Sequence, residues 1–263
     1  MTAQASDSHP TTRRRDWRRA WQALRNLIAD PERTDQVFEI IRALSGDAFE
    51  RAWLRFRAHP EGQRLLRARP SLLATLSDRT ALRALPPGSF GRTYAEFMDT
   101  AQLDADGLVQ AETEASQNYA PPDEGPPDPD VDFFGDRLRD MHDLWHVLTG
   151  YGRDEAGEAA NLAFTYAQVP NLGIGLIVLA GSVLGPRDLT FYWPRYLFRA
   201  YRRGRRAAQL TVAPYEDLLA LPLDEVRRRL AIEPVHVAHP EGILVASRGD
   251  EPRWRTGNDA LAA

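Results

Sequence analysis

Between Ala159 and Pro186 the chain carries no charged side chain. So long an uncharged run has to be covered by protein or by lipid, because exposed apolar surface is costly in water. No other feature of the sequence constrains the fold as much. A membrane-spanning helix needs about 20 consecutive apolar residues. Here Pro170 and Asn171 divide the run, Gly173, Gly175 and Gly181 loosen the second part, and the strongly apolar piece from Leu172 to Leu184 is too short. The expectation is a buried helix that forms one wall of an apolar ligand pocket.

Helical periodicity dominates the rest. Val37, Phe38, Ile40, Ile41 and Leu44 make one stripe that stops at Ser45-Gly46. Asp47 with Glu50 resembles a capping box for a helix carrying Phe49, Trp53 and Phe56, which should end before Pro60. Pro70 and Pro86-Pro87-Gly88 punctuate two shorter helices, and Tyr94, Phe97 and Met98 mark another over 93–103. There is no strand-like alternation long enough for a sheet and no repeat. The predicted fold class is all-α, a single helical domain over 13–240, after a disordered start (1–12) and before a weakly structured tail (241–263). Pro121 to Asp130 holds five prolines, four acids and one glycine, an extended surface connector within that domain. Beyond it lie a basic aromatic helix from Phe191 to Leu210 and a short one from Asp224.

The chain has no cysteine, which removes disulfides, iron–sulfur clusters and thiolate zinc sites. Any metal must sit on His, Asp or Glu, favouring zinc, iron or manganese. A net charge of −4 argues against a nucleic-acid partner. Every basic residue is arginine, as GC-rich bacterial codon usage would produce. No segment reads as a secretory signal. Arg13, Arg14, Arg15, Arg18 and Arg19 with Trp17 and Trp21 suit three readings: a mimic of a mitochondrial presequence, a foot on an anionic membrane surface, or a solvated helix face.

Chemistry concentrates in Met141-His142-Asp143-Leu144-Trp145-His146, within a helix predicted over 132–149. At about 100° per residue, His146 lies about 40° round from His142 and Asp143 about 100°. Two imidazoles and a carboxylate thus share one side of the helix, and these are ligand types for zinc or non-haem iron. Gly150-Tyr151-Gly152 supplies a turn with φ > 0, and a second helix begins near Asp154. In such a hairpin Glu158 faces the histidines, with Glu155 on a neighbouring face. A metal site on an αα-hairpin is therefore predicted from His142, Asp143, His146 and Glu158. The bland alternative is a solvated or capping His-Asp pair. Arg139, one turn earlier on the same face, either pairs with a substrate anion or neutralises Asp143 or Asp136. His236 and His239 are expected at the surface.

His142-Asp143-x-x-His146, then eleven residues, then Glu158, resembles the signature of the Coq4 family of ubiquinone biosynthesis proteins. The run from Leu85 through Pro86-Pro87-Gly88 to Tyr94, Phe97 and Met98 is similar to the family's Pro/Gly turn. Ala200, Gly204, Ala207 and Leu210 resemble its small-residue helix. Pro214-Tyr215-Glu216 through Leu221-Pro222-Leu223 to Arg227 and Leu230 resembles its C-terminal pattern, with Tyr215 in place of an expected Trp. Coverage runs from about Arg33 to Ile232. The resemblance implies a helical fold and a divalent metal, zinc first with iron(II) or manganese(II) next, on His142, Asp143, His146 and Glu158. It implies removal of the C1 carboxylate of a polyprenylated 4-hydroxybenzoate-type ring, coupled to hydroxylation of that carbon. It also implies assembly with other ubiquinone biosynthesis proteins and peripheral attachment to a membrane. That membrane would be the inner face in a bacterium, or the matrix side of the mitochondrial inner membrane in a eukaryote. A homo-oligomer stays open.

On this reading Leu172 to Leu184 lines the prenyl groove. Arg195, Arg199, Arg202, Arg203, Arg205 and Arg206 among Phe191, Tyr192, Trp193, Tyr196 and Tyr201 suit a membrane-facing surface, or a solvated helix with a buried aromatic stripe. Three rivals remain. A zinc hydrolase would use Asp143 where His-Glu-x-x-His enzymes have their base. An HD-type phosphohydrolase leaves His146 without a purpose. A non-enzymatic prenyl-lipid scaffold would hold the metal structurally, since four protein ligands make a closed site.

Overall fold

A computed structural model describes residues 15–30, 33–100, 128–184, 192–245 and 253–255. The expected disordered start over 1–12, the connector over 121–127 and most of the tail fall outside these residues. The described chain is predominantly helical. Before the connector run α1 (Trp17–Ala29), α2 (Thr34–Leu44), α3 (Ala48–Ala58), α4 (Pro60–Ala68), α5 (Leu72–Ser77), α6 (Arg79–Ala84) and α7 (Phe90–Thr100). After it come α8 (Pro129–Asp140), α9 (His142–Thr149), α10 (Glu155–Gln168), α11 (Leu172–Leu184) and α12 (Tyr192–Arg206). The short helices α13 (Tyr215–Leu218), α14 (Leu223–Arg229) and α15 (Val235–Ala238) close the helical part.

Punctuation acts through recognisable local chemistry. His59 leaves the helical region before Pro60, and its Nδ1 accepts from the Glu61 amide at 3.1 Å, so one residue ends α3 and caps α4. Asp128 caps α8 in the same way, with Pro129 at the first helical position where its missing N–H costs nothing. The Pro-rich segment therefore ends by starting a helix. The capping box at Asp47 does not form: its carboxylate pairs with Arg51 instead. The amides that open α7 donate to carbonyls far along the chain, Phe90 to Leu221 at 2.8 Å and Gly91 to Leu219 at 2.8 Å. This satisfies donors that a helix start leaves without partners.

Three cores result. α1 and α2 bury Ala20, Ala23, Leu24, Ile40 and Leu44. Trp53 and Phe56 of α3 meet Phe134 of α8, with the Phe56 and Phe134 ring centroids 4.8 Å apart. The largest core joins Phe90, Tyr94, Leu144, Trp145, Phe164, Trp193, Tyr196 and Tyr215. Tyr215, where Trp was expected, accepts from the Trp145 indole at 2.8 Å and donates to the Leu210 carbonyl at 2.9 Å. Trp has a donor only and cannot fill that relay.

Four expectations need correction. The helix predicted over 132–149 is two helices, broken at Met141, whose N–H bonds back to Arg137 and Arg139 carbonyls. The apolar α11 is a helix over the predicted bounds but is not enclosed: it lies on α2 and α10 with Leu179 62% exposed. The basic face of α12 is not wholly solvated, because Arg203 is fully buried beside the stripe Trp193, Tyr196, Leu197 and Ala200. Finally, the weakly patterned tail contains the antiparallel pair β1 (Ile243–Val245) and β2 (Arg253–Arg255), with Ile243 and Leu244 in the main core. A strand this short carries no legible alternation, and core contact fixes it instead.

Candidate metal centre

The helix that carries the motif is α9, and its C-terminal end is closed from outside. Arg227 donates to the Val147 and Leu148 carbonyls at 3.1 and 2.9 Å, and Arg203 to Thr149 at 2.6 Å. Gly150 then takes φ 75°, the left-handed cap that a side chain resists. The turn reaches Asp154, whose side chain accepts from the Gly157 amide at 3.3 Å and opens α10. Gly157 is needed for a different reason: a Cβ there would stand 2.1 Å from the Gly152 carbonyl oxygen. Beyond the turn α10 packs chiefly along α12, so the hairpin is close only near its bend.

That bend is where the predicted residues meet. One potential ligand atom from each of His142, Asp143 and His146 lies within 4.8 Å of the others. The two imidazole centroids are 4.9 Å apart. Glu158 reaches in from α10, its Oε2 3.3 Å from His146 Nε2. Glu155 is exposed and apart from them. The guanidinium of Arg139 holds Asp136 at 2.9 Å and Asp140 at 2.9 Å. The break at Met141 separates its helix from that of the histidines. Arg153 occupies the place expected for it, donating to Asp143 Oδ1 at 2.9 Å from within the turn.

Hydrogen bonding fixes which ring nitrogens are available. His146 Nδ1 lies 3.1 Å from the Tyr151 carbonyl, which can only accept, so the proton sits on Nδ1. Its Nε2 is buried and has no hydrogen-bond partner, while facing the Glu158 carboxylate. A lone pair against a carboxylate at 3.3 Å calls for a positive charge between them: a second proton, or a metal ion in its place. His142 Nδ1 meets Asp143 Oδ1 at 3.2 Å, which leaves Nε2 as the nitrogen that could take an ion, with the carboxylate placed to orient the ring.

Electrostatics agree. Burial opposes a charge on His146, but Glu158 and Asp143 outweigh it and raise the imidazole's pKa. Burial likewise pushes the Asp143 carboxyl up, and the His142 hydrogen bond with the nearby charges overcomes it, leaving a pKa of about 2. Against the same desolvation, Glu158 is held at about 2 by His146. The donor set, two imidazoles and two ionised carboxylates, fits a divalent ion of the zinc, iron or manganese kind. Phe97 stacks on His146 with centroids 5.9 Å apart, and Tyr94 is buried nearby, its phenol kept protonated by burial and by Asp143.

Two contributors gave no sequence signal. Arg153 and the Tyr151 carbonyl act from a turn that has no periodicity. His239, expected at the surface, is buried and shares a 2.7 Å hydrogen bond with the Tyr151 hydroxyl.

The family described as Coenzyme Q (ubiquinone) biosynthesis protein Coq4 matches residues 10–236. A mitochondrial ubiquinone biosynthesis protein of Pyrenophora tritici-repentis is 31% identical over 78% of this chain and 67% of its own length. Its counterpart in Yarrowia lipolytica is 34% identical over 66% of this chain and 62% of its own length. The counterpart in Neurospora crassa is 29% identical over 79% of this chain and 56% of its own length. The chain thus spans between half and two thirds of the length of several curated relatives. A crystal structure from Nostoc punctiforme, itself named for ubiquinone biosynthesis, shares the fold with a TM-score of 0.58 at 22% identity, over 84% of this chain and 100% of that one.

Proposed function

The chain belongs to the Coq4 family of ubiquinone biosynthesis proteins, and from that premise we propose that it removes the C1 carboxylate of a polyprenylated 4-hydroxybenzoate-type ring in a metal-dependent step coupled to hydroxylation of that carbon. The observation that carries this reading is the buried Nε2 of His146, which makes no hydrogen bond and stands 3.3 Å from the Glu158 carboxylate. His142, His146 and Glu158 would hold the ion, with Asp143 as a fourth ligand or as the group that orients His142. When bound, a divalent ion supplies Lewis acidity that stabilises negative charge as carbon dioxide leaves. Arg153, not Arg139, offers the guanidinium for the ring's carboxylate or phenolate, its side chain 30% exposed beside Asp143. His142 and Glu158 are part-exposed while His146 is fully buried, so a substrate approaches over the first two. Phe97 and Tyr94 help exclude water from the floor. The hydroxylation half is a two-electron oxidation with dioxygen as co-substrate. The bond from C1 to the carboxylate breaks and releases carbon dioxide, C1 gains a hydroxyl group, and with one water consumed the dioxygen leaves as hydrogen peroxide.

Metal content and turnover of a short-chain prenylated hydroxybenzoate, for wild type and Glu158→Ala, test this. Stoichiometric metal with decarboxylation, both lost in the variant, supports the enzyme. Absence of metal from folded wild-type protein sinks the metal centre.

A second reading, the prenyl-lipid scaffold, is favoured by one observation. The uncharged helix α11 leaves Leu179 62% exposed, an apolar face that suits a prenyl chain, whereas the surface hollows between α1 and α2 and beside α12 and α15 are lined by charged side chains. Metal without turnover would select it. The hydrolase reading loses ground on geometry: Asp143 is bonded to His142 and Arg153 with a pKa of about 2, a poor general base near neutrality.

Peripheral membrane attachment and assembly with other ubiquinone biosynthesis proteins belong to the same proposal. Among the described residues no helix is long and apolar enough to cross a membrane. α1 exposes Trp17 at 55% and Trp21 at 60%, with Ile28 on the same face and Arg18 and Arg25 beside it, which suits an anionic lipid surface.

A further inference from the structure

A chain of contacts runs from the C-terminal segment into the candidate metal centre. His239 Nε2 and the Tyr151 hydroxyl share a hydrogen bond of 2.7 Å, and both side chains are buried. The Tyr151 carbonyl, on the same residue, lies 3.1 Å from His146 Nδ1. His146 Nε2 then faces Glu158. His239 is itself firmly held: its ring centroid is 4.6 Å from that of Tyr196, and the nearby β1 is buried against α10, the helix that carries Glu158. Arg203 lies over the Tyr151 ring at 5.4 Å and reaches the Glu233 carbonyl at 2.7 Å, so the ring is clamped on a second side. The family match ends at residue 236, so His239 and the β-pair lie outside the matched residues.

We propose that His239 is a positioning residue for the metal centre: through Tyr151 it fixes the carbonyl that sets the tautomer and orientation of His146. The physical need is clear. A metal-binding imidazole must keep its proton on the nitrogen away from the ion, and only an acceptor held in place secures that. Tyr151 sits in an irregular turn with no helical hydrogen bonds of its own to locate its carbonyl. Its ring must therefore be anchored for its backbone to stay put. His239 provides the anchor from a segment far along the chain, making the C-terminal strap part of the site's support.

This inference rests on the metal reading for one of its readouts and is independent of it for the other. The variants are His239→Phe and Tyr151→Phe, which keep ring volume but remove the bond, and His239→Gln, which retains a polar atom at similar reach. The first readout is zinc affinity, measured by competition with a chromophoric chelator. The second is the Hδ1 and Nδ1 chemical shifts of His146 in metal-free protein, which report the hydrogen bond from Nδ1–H to the Tyr151 carbonyl. His239→Phe and Tyr151→Phe should each weaken zinc binding about 10-fold, the double variant no more than either alone. The same two should move the His146 Hδ1 and Nδ1 shifts toward those of a weakened hydrogen bond, and His239→Gln should restore both readouts. A folded Tyr151→Phe with wild-type zinc affinity and unchanged ring shifts overturns the proposal, even if its Tm falls. Should His239→Phe not fold, Tyr151→Phe and His239→Gln decide. If the wild type takes up no zinc, the metal reading fails, and the ring shifts alone decide this one.

Discussion

Arg203 donates to the carbonyl of Thr149 at 2.6 Å, so the helix bearing His142 and His146 is closed by a side chain 54 residues further along the chain. The same guanidinium reaches the Glu233 carbonyl at 2.7 Å and is fully buried. Replacing it by Met would leave the buried Thr149 carbonyl and the part-buried Glu233 carbonyl without this donor, the first costing about 1–3 kcal/mol and the second less. Arg203→Met should lower Tm by about 5–10 °C. Arg203→Lys should recover only part, because an ammonium cannot span both acceptors in the guanidinium's planar fork. Thermal denaturation of the two variants checks this, and equal stability of Arg203→Met and wild type would contradict it.

Tyr215 joins two buried groups, accepting from Trp145 and donating to Leu210. Tyr215→Phe removes both bonds and should cost about 1–3 kcal/mol, chiefly by stranding the Trp145 indole N–H. Tyr215→Trp, the residue the family pattern suggests, should be at least as harmful here, because indole cannot accept from indole. Chemical denaturation followed by far-ultraviolet circular dichroism would report both. A Tyr215→Trp protein as stable as wild type would mean that this core repacks freely.

Acid should weaken the fold in two separable stages. Burial, reinforced by the charges of Arg203 and Arg199 and opposed by Glu241, lowers the pKa of His239 from 6.5 to about 3. The unfolded chain therefore binds this proton from about pH 6.5 downward while the native protein does not. Stability from this group is fully present above 6.5 and is lost as pH falls toward 3, on the order of 3 kcal/mol across the window. Glu158 and Asp143, with pKa values lowered to about 2, lose their contribution only below their ordinary values of 4.5 and 3.8. Urea midpoints measured from pH 7 to 4 should fall for wild type. For His239→Gln the slope between pH 6.5 and 4.5 should be visibly flatter, and identical slopes would remove His239 as the cause.

Metal removal gives a further outcome. If an ion occupies the space between His146 and Glu158, chelator-treated protein should melt below metal-loaded protein by an amount that grows with free zinc, as mass action requires. Glu158→Gln should abolish most of that increment, since it removes the carboxylate 3.3 Å from Nε2 while keeping its shape. Arg139→Ala should leave it unchanged, because that guanidinium serves Asp136 and Asp140 instead.

For the exposed face of α1, Trp17→Ala with Trp21→Ala should reduce binding to vesicles rich in anionic lipid about tenfold or more. Binding of the wild type should weaken with salt, because the contribution of Arg18 and Arg25 is screened within about 10 Å at 0.1 M ionic strength. Undiminished sedimentation of the double variant with vesicles would place the contact elsewhere.

What the sequence determined by itself was local. Pro60 set the end of α3, Gly150 set the end of α9, and the i, i+4 spacing of His142 and His146 put both rings on one face, because these depend on φ/ψ limits and helix pitch within a few residues. Pro129 and Asp130, expected in the extended connector, instead open α8. The short step from Gly150 to Asp154 was also enough to bring Glu158 to His146. Only the tertiary structure decided which arginine pairs with Asp143, since Arg139 and Arg153 are alike in sequence and differ in which carboxylates surround them. It also decided that His239 is buried against Tyr151 and that α11 leaves Leu179 in the open. Periodicity records that a face is apolar, not what covers it. Hydrogen bonds across long separations are chosen by packing that no local window contains.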